Sequence, residues 1–151
     1  MASSQKLRIL FLCTGNSCRS QMAEGWARHL SGDRLEPHSA GIEPRGLDPR
    51  AVKVMAEAGV EISAQRSKHV DELMGRYFDY VITICGHAHE HCPTFPGDTK
   101  LLHVPFDDPP ALARSAASEA EALAHYRRVR EEIRAFVEGL PEALVRCRRG
   151  E

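Results

Sequence analysis

The sequence predicts a single α/β domain, a three-layer fold with a four-stranded parallel sheet and helices on both faces. Three observations carry this. The chain has 151 residues, the size of one domain. Short apolar runs alternate with longer segments of helical periodicity, the order expected of parallel strands joined by crossover helices. The clearest strand, Tyr-Val-Ile-Thr-Ile at 80–84, is apolar on both faces, as a central parallel strand is.

The elements follow in order. Residues 7–12 form a first strand. Residues 13–19 are small and polar, with Gly15 and Asn16 as turn formers. A helix over 20–30 repeats Met22, Trp26 and Leu30 at four-residue spacing and closes at Gly32 and Asp33. Residues 35–42 read as a second strand. Asp48-Pro49 opens a second helix, Asp48 as N-cap and Pro49 at its first position, with an apolar stripe of Val52, Met55, Ala56 and Val60 and a stop at Gly59. A short helix is expected over 67–74, the strand over 80–84, a loop or ragged helix over 85–96, and a fourth strand over 101–105. Residues 107–110, Asp-Asp-Pro-Pro, are expected to be loop because of the two prolines. The longest helix runs over 119–140, with Leu123, Tyr126, Val129, Ile133 and Phe136/Val137 on one face. The tail from about residue 143 is expected to fray. There is no internal repeat and no linker.

Lys and Arg number 20 against 21 Asp and Glu, a net charge of −1, so the basic surplus of a general nucleic-acid or membrane-surface binder is missing. No run of about 18 apolar residues is present to span a membrane. The apolar run 9–12 is too short for a secretory signal. A cytoplasmic protein is expected. The five cysteines, Cys13, Cys18, Cys85, Cys92 and Cys147, are an odd number in a reducing compartment, which points to catalysis, metal binding or packing and away from a disulfide framework.

In parallel sheets ligands bind at the carboxyl ends of strands. Three segments fall there: 13–20, 85–92 and 107–108. Cys13-Thr14-Gly15-Asn16-Ser17-Cys18-Arg19-Ser20 follows a strand and opens a helix. Five residues between Cys and Arg let the chain curl with its N–H groups inward, a nest for a tetrahedral anion at a helix N-terminus. Arg19 would clamp two anion oxygens, the same field would favour the Cys13 thiolate, and Ser20 would hydrogen-bond to the sulfur. The plainer reading is a buried Cys after a strand and an Arg on a helix's first turn. Cys18 reads as a packing residue or a bystander open to oxidation.

Cys85 ends the clearest strand and Cys92 lies seven residues later. A hydrolase needs one nucleophilic cysteine, whereas a reductase needs a dithiol to supply two electrons. The pair can also be read as a core residue and an incidental loop thiol. With His87, His89 and His91 between them, a metal site is a further reading. Cys147, in Arg-Cys-Arg-Arg, reads as an exposed bystander.

The run C-T-G-N-S-C-R-S-Q-M-A-E-G-W resembles the signature of the thioredoxin-coupled arsenate reductases, which share their fold with the low-molecular-weight protein tyrosine phosphatases. The likeness continues through Ser39-Ala40-Gly41, residues 81–85, Cys92-Pro93, residues 106–109 and residues 127–133, nearly the whole chain. It implies that Cys13 attacks arsenate, Cys85 then attacks Cys13 and releases arsenite, and Cys92 attacks Cys85, leaving a Cys85–Cys92 disulfide for thioredoxin. It implies arsenic resistance, with Asp108 as general acid, since a departing oxygen needs a proton. Asp107 would be a loop or capping residue, and the plain alternative for the run is a polar turn.

The phosphatases usually carry aromatic residues after the Asp-Pro; here Pro110 and Ala111 follow, which suits a small inorganic oxyanion, with phosphate and sulfate as analogues and weak aryl phosphatase activity alongside. Some relatives bind potassium through residues matching Asn16, Glu24 and Ser39 and an Asp at the end of a Ser-x-x-Thr-Ser-Asp run. The matching run here, 63–68, ends in Lys68, whose ammonium is expected in place of the ion. No tightly bound cofactor and a monomer are expected, with thioredoxin as the protein partner. The competing readings are a phosphatase and a metal- or oxyanion-binding module.

Overall fold

A computed structural model describes residues 6–144. The elements are β1 (Leu7–Cys13), α1 (Arg19–Ser31), β2 (Leu35–Gly41), α2 (Pro49–Glu57), a 3₁₀ turn (Val70–Leu73), β3 (Tyr80–Thr83), α3 (Gly86–Glu90), β4 (Lys100–His103), α4 (Pro109–Ala113) and α5 (Glu119–Glu138). The four strands form one parallel sheet in the order β2-β1-β3-β4. From β1 the chain winds first to β2 on one side and then to β3 on the other. The crevice at such a reversal, beyond the carboxyl ends of the strands, is where α/β sheets bind ligands.

The alternation of the strands divides the core in two. Ile9, Phe11 and Cys13 of β1 face one side with Tyr80 and Ile82, where Met22 and Trp26 of α1, Val54 and Met55 of α2, and Tyr126, Val129, Ile133 and Val137 of α5 cover them. Leu10 and Leu12 face the other side with Val81, and there the cover is thin: Val70 and Leu73 of the 3₁₀ turn, Phe78, and Ala88 of α3. Ala88 is the one buried residue of α3.

Several elements differ from expectation. The segment 67–74 is a single 3₁₀ turn because the backbone before it is committed sideways: Lys68 N–H donates to Asn16 Oδ1 and Lys68 C=O accepts from Gly41 N–H. Pro109 and Pro110 do not prevent a helix. They occupy the first two positions of α4, where no N–H is required. The buried stripe of α2 is Ala51, Val54 and Met55, with Ala56 exposed and Val52 only half-buried. On α1, Leu30 is at the surface. At the other end, Leu144 is buried in the larger core, so the chain is packed past the point where fraying was expected, while Cys147 lies outside the described residues. Among the described residues no helix is long and apolar enough to cross a membrane.

Candidate active site

The loop after β1 is shaped by what its carbonyls do. Those of Cys13, Thr14, Gly15 and Ser17 accept from the N–H groups of Ile42, Glu43, Arg45 and Asp48 at 3.2, 2.8, 2.9 and 2.9 Å. The Asn16 carbonyl accepts from Gln21 Nε2 at 3.0 Å, and the Cys18 carbonyl from Met22 N–H at 2.9 Å. With every carbonyl from 13 to 18 turned outward onto a partner, the N–H groups are left for the concave side. Gly41 permits this closeness: a Cβ there would sit 2.7 Å from the Thr14 carbonyl oxygen and 2.9 Å from Asn16 N.

Asn16 is the keystone of the loop. It takes a left-handed conformation, φ 47°, which asparagine tolerates better than most residues. Its N–H donates to Cys13 Sγ at 3.2 Å, and its Nδ2 donates to Ser20 Oγ at 2.8 Å. Ser20 Oγ lies 2.8 Å from Cys13 Sγ. A Cys13 thiolate has no hydrogen to give, so with the sulfur as an anion the Ser20 hydroxyl donates to it. Two donors therefore converge on Cys13, as a nucleophilic sulfur anion requires. Thr14, Gly15, Ser17, Cys18 and Arg19 line the cavity above Cys13, while Asn16 is fully buried beneath it.

Arg19 donates to the Phe106 carbonyl at 3.0 Å and pairs with Asp108 at 3.4 Å, its side chain 11% exposed. Asp108 lines the cavity. Asp107 turns away to Arg128 of α5 at 3.0 Å. Cys18 is buried, and burial pushes its thiol pKa well up, with Asp48 and Asp108 adding to the effect and Arg19 opposing it. That fits a packing residue.

Cys85 stands two residues beyond β3, the neighbour of β1, and is brought to the same rim as Cys13. Its sulfur lies 3.1 Å from Thr14 Oγ1 and accepts from Ala88 N–H at 3.4 Å, capping α3. Cys92 lies past the far end of α3, half-buried, its pKa raised by burial. All four described cysteines are free thiols. The histidines between them are not gathered together: His87 stacks on His91 at 4.2 Å, and His89 stacks on His103 at 4.4 Å with both bonded to Thr83 Oγ1.

Asn16, Glu24, Ser39 and Lys68 do come together, but their oxygens are occupied. Glu24 Oε1 accepts from Ser39 Oγ at 2.6 Å and Oε2 from Arg28 at 2.7 Å, while Asn16 Oδ1 takes Lys68 N–H at 2.9 Å. The half-buried Lys68 ammonium bonds the Arg66 carbonyl at 2.7 Å and lies within Coulombic reach of Glu24; burial lowers its pKa and Glu24 raises it. These residues do not fit a potassium site.

Sequence reasoning did not single out Gln21, Ser67 (Oγ 3.2 Å from the Gly15 carbonyl), or the cavity's outer residues Glu43, Arg45 and Arg114. Their contacts are mostly to backbone and have no residue-type signature.

A family model described as low molecular weight phosphotyrosine protein phosphatase matches residues 8–149. The arsenate reductase of Bacillus licheniformis is 52% identical over 128 residues, 85% of this chain and 90% of that protein. Among solved structures, an arsenate reductase in its oxidized state superposes with a TM-score of 0.73 at 30% identity, over 88% of this chain and 95% of that one. A thioredoxin-dependent arsenate reductase of Corynebacterium glutamicum superposes with a TM-score of 0.68 at 27% identity, over 91% of this chain and 60% of that one.

Proposed function

The chain belongs to the low molecular weight phosphotyrosine protein phosphatase family, and within it we infer that it reduces arsenate to arsenite, with thioredoxin restoring its thiols. The observation that carries this is the place of Cys85: it shares the rim with the Cys13 loop and is hydrogen-bonded to Thr14, a position of no use to a hydrolase.

The chemistry runs in three steps. The Cys13 thiolate attacks arsenic, and Asp108 gives a proton to the departing oxygen, leaving a thiol–arsenic adduct still at the +5 level. Arg19 leaves the Phe106 carbonyl and Asp108 to hold two of the adduct's oxygens. The Cys85 thiolate then attacks Cys13 Sγ. The S–As bond breaks with its electron pair on arsenic, so arsenite departs and a Cys13–Cys85 disulfide forms. Cys92 attacks Cys85 Sγ, returning Cys13 and leaving Cys85–Cys92 for reduction by a thioredoxin dithiol.

The last exchange requires α3 to open. α3 stands between Cys85 at its N-cap and Cys92 beyond its far end, and a disulfide needs the two Cα atoms within roughly 4.4–6.8 Å. The thin cover on this face supports such an opening: α3 is held by Ala88, the His89–His103 stack with its bond to Thr83, and a 3.5 Å His87–Glu43 contact. In place of a monovalent cation, the Lys68 ammonium faces Glu24 behind the loop. With this function go the monomeric state and the cytoplasmic location expected from the sequence, where arsenic resistance would be exerted.

The test is NADPH consumption with arsenate, thioredoxin and thioredoxin reductase, run beside para-nitrophenyl phosphate hydrolysis. Cys92→Ser is expected to abolish sustained consumption and to spare ester hydrolysis. No arsenate-dependent consumption by the wild type, with ester hydrolysis intact, would make the protein a phosphatase.

A further inference from the structure

The cavity over Cys13 extends well beyond the oxyanion loop. Its volume is about 420 Å³, and the loop with Asp108 forms only its floor. The outer wall carries two guanidiniums that arrive from unrelated segments, Arg45 from the connection between β2 and α2 and Arg114 from the C-cap of α4. Arg45 is fastened to the floor: its N–H donates to the Gly15 carbonyl at 2.9 Å, and its stem crosses Gly15, where a Cβ would meet Arg45 Cδ at 3.2 Å. Among the described residues its guanidinium has only Glu43, at 3.7 Å, near the limit of an ion pair and with both side chains at least 60% exposed. Glu43 is shared with His87 at 3.5 Å. The Arg114 guanidinium has no hydrogen bond or ion pair among the described residues. Two carboxylates, Glu43 and Asp108, thus line the cavity beside three arginines, Arg19, Arg45 and Arg114, over a floor that is itself built for an anion.

We propose that Arg45 and Arg114 form a second anion subsite, so that the pocket accepts compounds carrying two anionic groups. The inner group is a tetrahedral oxyanion over Cys13 and the outer a phosphate or carboxylate between the two guanidiniums. The proposal rests on reading the floor as an oxyanion site. A phosphomonoester with a second anionic group would be turned over without electron transfer. Cys13 Sγ attacks phosphorus, the ester P–O bond breaks, and the leaving oxygen takes the Asp108 proton. Water then cleaves the S–P bond to give phosphate and the free thiol.

The probe is inorganic pyrophosphate, compared with inorganic phosphate as an inhibitor of para-nitrophenyl phosphate hydrolysis in EDTA. Pyrophosphate is expected to inhibit at about tenfold lower concentration, the gain of one charge-assisted contact. Arg114→Ala should bring the ratio close to one, Arg114→Glu below one, and Arg114→Lys should keep part of it. Equal inhibition of the wild type by the two anions overturns the subsite, as does a ratio that survives in both Arg114→Ala and Arg114→Glu. Arsenate-dependent thioredoxin oxidation on the same preparation separates the two levels. If it persists while the ratio is one, the subsite alone fails. If phosphate does not compete at all, the floor is not an oxyanion site and the subsite falls with it.

Discussion

The Thr14 hydroxyl lies 3.1 Å from the Cys85 sulfur, so the residue following the proposed nucleophile in sequence is bonded to the thiol proposed to act second. A hydroxyl that donates to a sulfur stabilises its anion. Thr14→Val should therefore slow arsenate reduction about tenfold or more, since a hydrogen bond to a charged group is worth about 1.5–3 kcal/mol. Hydrolysis of para-nitrophenyl phosphate, which does not use Cys85, should change much less. Equal losses in both assays would mean that Thr14 serves the loop alone.

Asp108 lines the cavity, whereas Asp107 pairs with Arg128 on the surface. Asp108→Asn is expected to lose most turnover, about 10²-fold or more as is usual for general acids. Asp107→Asn should keep most of it. Steady-state kcat of the two variants decides the assignment.

Gly41→Ala puts a methyl group 2.7 Å from the Thr14 carbonyl oxygen. Two of the close atoms, the Thr14 carbonyl oxygen and Asn16 N, are backbone of the loop itself, so the loop must shift. The expected result is a large rise in the inhibition constant for phosphate, with a fall in melting temperature of a few degrees, corresponding to about 1 kcal/mol or more. A variant that binds phosphate as the wild type does would show that the loop tolerates displacement.

Replacing sodium by potassium at constant ionic strength should leave kcat/KM unchanged, because the oxygens of Glu24 and Asn16 are already taken and Lys68 supplies the charge. Several-fold activation by potassium would contradict this.

Burial raises the Cys92 and Cys18 thiol pKa values. At a given pH each carries less thiolate than an exposed cysteine, and thiolate is the form that alkylates. In the reduced protein, iodoacetamide labelling of Cys92 near pH 8 should be slower than that of a small free thiol and should climb only at higher pH. Cys18 should resist labelling until the protein unfolds. Peptide mass spectrometry over a pH series reads both.

The proposed nucleophile, its arginine and its serine could be grouped from the sequence because they are local. Cys13, Arg19 and Ser20 lie within eight residues, between an apolar strand and a helical repeat. The forces that shape their loop were not legible there. They reside in carbonyls paired with residues 42–48, and any residue type can supply a backbone N–H. The same reason explains the 67–74 segment, whose helical pattern lost to lateral hydrogen bonds made by Lys68. The helix at Pro109 was hidden by a rule that holds for helix interiors and not for first turns. Asp107 and Asp108 are alike as letters; the resemblance assigned the acid to Asp108, and the geometry adds the physical reason, Arg128 drawing one away and Arg19 pairing with the other.

On the proposed relay, the unequal covering of the two sheet faces would make the catalytic cycle partly a folding cycle. The first step would take place over the thick side, with α1, α2 and α5, whereas the exchange to Cys92 would draw on local opening of the thin side. Local openings cost less than global unfolding and respond to solvent in their own way. A stabilising osmolyte such as sucrose should then slow arsenate reduction while ester hydrolysis at the same sulfur holds its pace, and a trace of urea should do the reverse. The two activities of one cysteine become separate gauges of how the two halves of the molecule hold together.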